Sequence, residues 1–335
     1  MLTTSSQHVW ALVLAGGEGK RLRSLTTQPC GTAVPKQFCS LRGAHSLVED
    51  AIDRAVTLAD TERICAVVAA EHRHWWSESA GLSRLNANNL IVQPKNRGTA
   101  VGVLLGALQI LARDPDALVV LLPADHYVED EDVLHCSMVA ALRRLQIDSR
   151  YPVLLGLEPD RPDTELGYIL PGGRDLVGGQ RVLRFIEKPN ASLASEIISS
   201  GGLWNTFIIV ASVQRLIDMY VPKWVEVLVE MRSIVDGIQS CQPELVEFYE
   251  HVPEIDFSRH LLEGQESSLR VVRVPSCGWN DLGTPRRVGE TLGRLSPHDY
   301  AAAVSHLSSY VNIAAQYEGL RRLAQRGAKA SQGSQ

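Results

Sequence analysis

Through the first half of the chain, short apolar runs alternate with longer stretches whose apolar residues recur at helical spacing. The runs at 9–14, 64–69, 90–92 and 117–122 read as buried strands. The stretches at 46–58, 72–85 and 99–112 are amphipathic and predict helices. Such alternation predicts a mostly parallel sheet with helices on both faces. Sheets of this kind bind ligands at the carboxyl ends of their strands. A later apolar run at 269–274 predicts another strand, and helical patterns occupy 301–323.

The first strand runs into Ala15-Gly16-Gly17-Glu18-Gly19-Lys20-Arg21-Leu22. Glycines let backbone N–H groups approach a ligand closely, and a turn lined with N–H groups is an anion site, most often for phosphate. Lys20 and Arg21 add full positive charge there. The loop is not a dinucleotide loop, because Leu22 stands where the third glycine is needed. Nor is it a P-loop, which needs Ser or Thr at Arg21 and Gly at Leu14. The plain alternative is a surface turn.

Composition narrows the partners. The chain has 335 residues, 45% hydrophobic and 21% charged, with net charge −5, which is an ordinary globular composition. It has no basic excess to suggest nucleic acid. Residues 1–8 lack an apolar signal core, and no run of eighteen apolar residues exists to span a membrane. Six scattered cysteines without a C-x-x-C pair argue for a reducing compartment, hence the cytoplasm, and against a zinc site.

Other candidate chemistry also follows predicted strands. Asp125, in Leu122-Pro123-Ala124-Asp125-His126, is a candidate Mg²⁺ ligand, or else a cap for the next helix. His126 reads as a structural histidine. Asp281, in Cys277-Gly278-Trp279-Asn280-Asp281-Leu282-Gly283, could share that metal, although its setting is also a good turn sequence. Glu187 and Lys188 end a strand. Neighbouring strand residues face opposite sides, so these two are not expected to pair with each other. Gly167 would allow close backbone approach, and Asn205 offers a donor and an acceptor to a hydroxylated ligand.

Residues 16–22, Pro35-Lys36-Gln37-Phe38, 122–126, Phe185-Ile186-Glu187-Lys188-Pro189 and 278–283 together resemble the sugar-phosphate nucleotidyltransferases in kind and order. Pro35-Lys36-Gln37-Phe38 and Pro94-Lys95-Asn96-Arg97-Gly98-Thr99-Ala100 look most like the mannose-1-phosphate guanylyltransferases. The similarity covers roughly residues 9–290.

The resemblance implies a Rossmann-like three-layer α/β/α fold with a mixed, mainly parallel sheet. The catalytic domain would span 1–290, followed by a helical C-terminal extension at 291–326 and a disordered tail at 327–335. It implies that Leu14, Ala15, Gly16, Gly17 and Gly19 hold the nucleotide, with Arg21 and Lys36 on its phosphates. Gln93, Arg97 and Thr99 would help read the base. Gly167, Glu187 and Asn205 would bind the sugar, Lys188 its phosphate, and Asp125 and Asp281 would hold Mg²⁺. The implied reaction joins GTP, or another NTP, to a hexose 1-phosphate and releases pyrophosphate. The nucleophile is already an anionic phosphate oxygen, so the residue types fit a reaction that needs charge compensation and no general base.

Three positions depart from the family pattern. Phe207 stands for a glycine after Trp204-Asn205-Thr206, Ser24 for a proline, and Gly98 begins a Gly-Thr-Ala-Val run in place of Asn-Thr-Ala-Pro. They leave open the same chemistry on another NTP or hexose 1-phosphate, or a non-enzymatic sugar-nucleotide sensor. The C-terminal region shows no hexapeptide repeat and is expected to lack a cupin-like isomerase domain. Its apolar residues Tyr310, Val311, Ile313 and Leu320 are expected to pack on the core, with a homodimer as the alternative use.

Overall fold

A computed structural model of the chain describes residues 7–27, 32–41, 45–174, 179–237 and 242–295. Among them, nine strands form one sheet: β1 (Val9–Ala15), β2 (Ile64–Ala69), β3 (Leu90–Gln93), β4 (Leu118–Pro123), β5 (Val153–Leu157), β6 (Gly167–Arg174), β7 (Gln180–Glu187), β8 (Leu203–Ser212) and β9 (Arg270–Val274). The helices are α1 (Arg23–Thr26), α2 (Leu47–Val56), α3 (Arg73–Trp76), α4 (Thr99–Arg113), α5 (Glu131–Ile147), α6 (Ala191–Ser199), α7 (Val213–Asp218), α8 (Val221–Gly237), α9 (Gln242–His251) and α10 (Pro285–Leu292). The C-terminal helical pattern, the tail and Tyr310, Val311, Ile313 and Leu320 lie outside the described residues.

The strand order is β3-β2-β1-β4-β8-β5-β9-β7-β6. The parallel part is β3-β2-β1-β4, where each apolar run is followed by a crossover. Beyond it the sheet is mixed. β8 lies antiparallel between β4 and β5, β5 pairs parallel with β9, and β6–β7 is an antiparallel pair. The start of β8 also pairs with β6, so β8-β5-β9-β7-β6 closes on itself.

The apolar runs work because side chains alternate between the faces of a strand. In β1, Trp10 and Leu12 face the layer of α4, α7, α8 and α9, while Val9, Ala11, Val13 and Ala15 face α2, α5 and α6. α4 lies close on the sheet because it carries small residues there: a Cβ on Gly106 would stand 2.7 Å from Leu12. Local signals set the helix starts. Ser46 and Glu49 form a capping box on α2, and Asp130 caps α5 at 3.1 Å.

The helix expected over 72–85 is reduced to α3 and a 3-10 turn at Leu82–Arg84. Gly81 explains the break. A Cβ there would meet Glu49 Cγ at 2.7 Å, and its N–H donates to Glu49 Oε1 at 3.3 Å, so the chain is drawn onto α2. Asp125 caps no helix, since α5 begins six residues later on Asp130.

Candidate active site

The glycine loop leaves β1 at the carboxyl edge of the sheet, as the alternation requires. Two contacts fix its path. Gln37 Nε2 donates to Ala15 O at 2.7 Å and to Gly17 O at 2.9 Å. A Cβ on Gly16 would lie 2.1 Å from Gln93 Nε2. Gly19 has φ 58°, and its Cα faces Lys36 so closely that a Cβ would stand 3.0 Å from that side chain's own Cβ. Gln37 thus positions the loop that presents Ala15, Gly16, Gly17 and Gly19. In the sequence Gln37 stands in the Pro35-Lys36-Gln37-Phe38 motif without an assigned role, and an amide one residue after a candidate cation is the signal that points to it. Gln93 is buried, and its Oε1 has no hydrogen-bond partner among the described residues, which is costly for a buried acceptor.

Lys36 lies between the two candidate metal ligands. Its Nζ is 2.8 Å from Asp125 Oδ2 and donates to Asp281 O at 2.5 Å, with the side chain only 8% exposed. An isolated bridge brings the two loops together: Tyr127 N–H donates to Asn280 O and Asn280 N–H to Tyr127 O, each at 2.9 Å. Burial alone would raise the Asp125 carboxyl, but Lys36 and His126 more than offset it and hold the group below its ordinary range. Asp281 is likewise held down, by Arg287, Lys36 and His126 acting against burial. Both carboxylates are therefore anionic at neutral pH. Arg287 pairs with Asp281 and, at 2.5 Å, with Asp163. The turn reading of Asp281 also holds, since its Oδ1 accepts from Gly283 N–H at 3.0 Å.

His126 has a structural role. Its Nδ1 accepts from Trp279 Nε1 at 3.3 Å, the two rings meet edge to face at 5.2 Å, and burial pushes its pKa down to about 4. Arg21 reaches across the site to an ion pair with Glu165.

The sugar-side residues converge as well. Gly167 pairs with Glu187 across β6 and β7, and a Cβ on Gly167 would stand 2.5 Å from Glu187 Oε2 and 3.4 Å from Asn205 Cβ. Burial raises the Glu187 carboxyl, Lys188 lowers it, and Asp256 and Glu263 raise it further. The expectation that Glu187 and Lys188 do not pair is overturned: Lys188 Nζ lies 3.2 Å from Glu187 Oε1. The strand ends at Glu187 and Lys188 turns with φ 52°, so strand alternation no longer applies. Arg21, Gly167, Glu187, Lys188, Asn205 and Asp281 line one cavity of about 140 Å³, joined by Phe207, Ser258 and Trp279.

Arg97 fastens a distant segment. Its Nε donates to Tyr249 O at 2.6 Å and its Nη2 to Glu250 O at 2.7 Å. Thr99 accepts from Phe257 N–H at 2.9 Å, and Ile255 N–H donates to Arg97 O at 3.0 Å. Gly98 has φ 84° and no room for a Cβ, which would meet Ile255 O at 2.4 Å. The departure at Gly98 is thus explained by the close approach of the 249–257 segment. A larger concavity of about 580 Å³ is walled by Glu129, Asp130, Glu131 and Asp132, whose charge repels a polyphosphate.

Among the described residues no helix is long and apolar enough to cross a membrane, and no group of three or more His, Cys, Asp or Glu could hold a metal ion. Cys39, Cys65, Cys136 and Cys277 are free thiols.

The chain is 29% identical over 289 residues to alginate biosynthesis protein AlgA of Pseudomonas syringae pv. tomato, covering 81% of this chain and 56% of that protein. It is 28% identical over 311 residues to a mannose-1-phosphate guanylyltransferase of Escherichia coli, covering 89% and 62%. It therefore spans little more than half the length of these curated relatives. A crystal structure described as a mannose-1-phosphate geranyltransferase from Thermus thermophilus superposes with a TM-score of 0.74 at 27% identity, covering 87% of this chain and 81% of that one. Residues 10–291 match the nucleotidyl transferase family, and the chain belongs to it.

Proposed function

We propose that this protein transfers a nucleotidyl group from an NTP to a hexose 1-phosphate, giving an NDP-hexose and pyrophosphate. The leading pair is GTP and mannose 1-phosphate, as the guanylyltransferase name of the Escherichia coli relative suggests. The observation that carries the reading is convergence. A glycine loop, Lys36 held between the Asp125 carboxylate and the Asp281 backbone carbonyl, and the Gly167–Glu187–Lys188–Asn205 group meet at one edge of the sheet.

The sugar phosphate oxygen attacks the α-phosphorus, forming an O–P bond, while the bond to the β-phosphate oxygen breaks and pyrophosphate leaves with its electron pair. No proton need move, so no base is required. The chief obstacle is repulsion between two anions. Lys36 and Arg21 offset it on the nucleotide side and Lys188 on the sugar-phosphate side. Arg21 exchanges its Glu165 partner for phosphate. Gln93, whose Nε2 lies beside Gly16 of the loop, offers the base a donor.

Asp125 and Asp281 fit a magnesium ion. They are hard, anionic oxygen donors at a place already built to face a positive charge, and Mg²⁺ takes one or two carboxylates and completes its shell with phosphate and water. When bound, the ion would supply further charge neutralisation of the phosphates. Four free thiols support a cytoplasmic setting.

The test is pyrophosphate release with Mg²⁺ over four NTPs and a set of hexose 1-phosphates. Turnover with GTP and mannose 1-phosphate supports the leading pair. Turnover with another combination keeps the chemistry and reassigns the product, a reading favoured by the side chain at Phe207. Nucleotide binding without any turnover would replace the enzyme by a sugar-nucleotide sensor.

A further inference from the structure

β8 contains a bulge beside the sugar-side cavity. Leu154 pairs with Ile209 and Gly156 with Asn205, so Leu155 alone faces Thr206, Phe207 and Ile208. Side chains bond the bulge. Thr206 Oγ1 donates to Leu155 O at 2.7 Å and accepts from Ile208 N–H at 3.2 Å, while Asn205 Oδ1 accepts from Phe207 N–H at 3.1 Å. This holds Phe207 at φ 59°, a conformation that an L side chain rarely adopts. Bulges beside active sites commonly re-aim a side chain, and an observed backbone outlier is a legitimate start for a functional argument. Here the re-aimed side chain lines the cavity, with its ring 5.8 Å from that of Phe257 and edge-on to it.

The cavity is consequently two-sided. Glu187, Lys188 and the Asn205 Nδ2 left free by the bulge form a polar side, and Phe207 forms an apolar one. At about 140 Å³ it is small beside the roughly 300–1,000 Å³ typical of small-molecule sites. We infer that Phe207 is a specificity-determining residue that makes this site prefer deoxyhexose 1-phosphates, whose C–H or methyl edge meets the ring. This rests on the sugar-phosphate reading above and replaces mannose 1-phosphate with a deoxy relative as the preferred acceptor. A hydroxyl placed against the ring would lose its water and gain no hydrogen bond from the ring. An apolar wall discriminates against an added hydroxyl by up to about 100-fold.

The experiment compares wild type, Phe207→Gly and Phe207→Ala. Gly removes the ring and suits the backbone; Ala removes the ring and keeps the strain. The probes are mannose 1-phosphate, glucose 1-phosphate and their singly deoxygenated analogues, with calorimetric binding measured alongside pyrophosphate release. The expected result is a wild-type preference of tenfold or more for one deoxy analogue over its parent, falling at least tenfold in both variants. If binding preferences shift this way but nothing turns over, the specificity role stands and the transfer reading falls. An equal preference in all three proteins overturns the role of Phe207. Failure of every sugar phosphate to bind overturns it too.

Discussion

Lys36 shows how one side chain organises the site. Its ammonium reaches both the Asp125 carboxylate and the Asp281 carbonyl, so three segments distant in sequence depend on one buried charge. The two aspartates are not equivalent, however. Asp125→Asn removes a carboxylate whose nearest partners are Lys36 and His126, and the fold should persist. Asp281→Asn also strips a partner from Arg287, which is 4% exposed and keeps only Asp163. Both substitutions should lower pyrophosphate release by about 10²–10³-fold, the usual cost of losing one transition-state charge contact. Both should also lower stability in urea, by about 1–3 kcal/mol, through different cations: Asp125→Asn leaves the buried Lys36 without its carboxylate, and Asp281→Asn weakens the hold on Arg287. Near-normal turnover in either variant removes that residue from the proposed metal site. At this scale the residue types were legible in the sequence, but their partners were not. Arg97 looked available, yet the 249–257 segment that claims it lies some 150 residues further along the chain.

Elements were legible where burial is two-sided. β1, β2, β3 and β4 follow the apolar runs closely, because a strand covered on both faces must be apolar throughout. β7 was legible only at its end by Glu187: Leu183 is 62% exposed while Val182 and Phe185 are buried, a pattern too irregular to place its start. The helix expected over 72–85 failed because Gly81 answers to α2, a tertiary demand that local periodicity does not record. Gly98 carries a similar demand and allows a test. It joins β3 to α4 at φ 84°, with Ile255 O 2.4 Å from where a Cβ would be. Gly98→Ala should cost roughly 1–3 kcal/mol in urea denaturation, from left-handed backbone strain together with displacement of residue 255. An unchanged midpoint would show that the 249–257 segment yields freely and does not clamp this junction.

For the molecule as a whole, the site is assembled by topology. The parallel half delivers the ends of β1 and β4 to one edge. In the mixed half, Leu157 at the end of β5 pairs with Val274 at the end of β9 and with Trp204 near the start of β8, so Asp281, Glu187 and Asn205 arrive at the same edge. The insertion of β8 between β4 and β5 is a long-range pairing with no local signature, so the sequence could order the motifs without showing how they meet. A site built from so many segments couples ligand binding to the stability of the whole fold. A ligand that binds only the folded state stabilises it by RT ln(1 + [L]/Kd), about 2.7 kcal/mol at one hundred times Kd. GTP with Mg²⁺ should therefore raise the melting temperature by several degrees. Because Asp125 would act through the metal and the glycine loop and Gln93 through the nucleotide itself, Asp125→Asn should lose only the part of the rise that depends on Mg²⁺. The part that survives chelation of the metal should be the same in variant and wild type. A wild-type rise of the same size with and without Mg²⁺ would separate Asp125 and Asp281 from metal binding, leaving Lys36 and Arg21 to offset the phosphate charge alone.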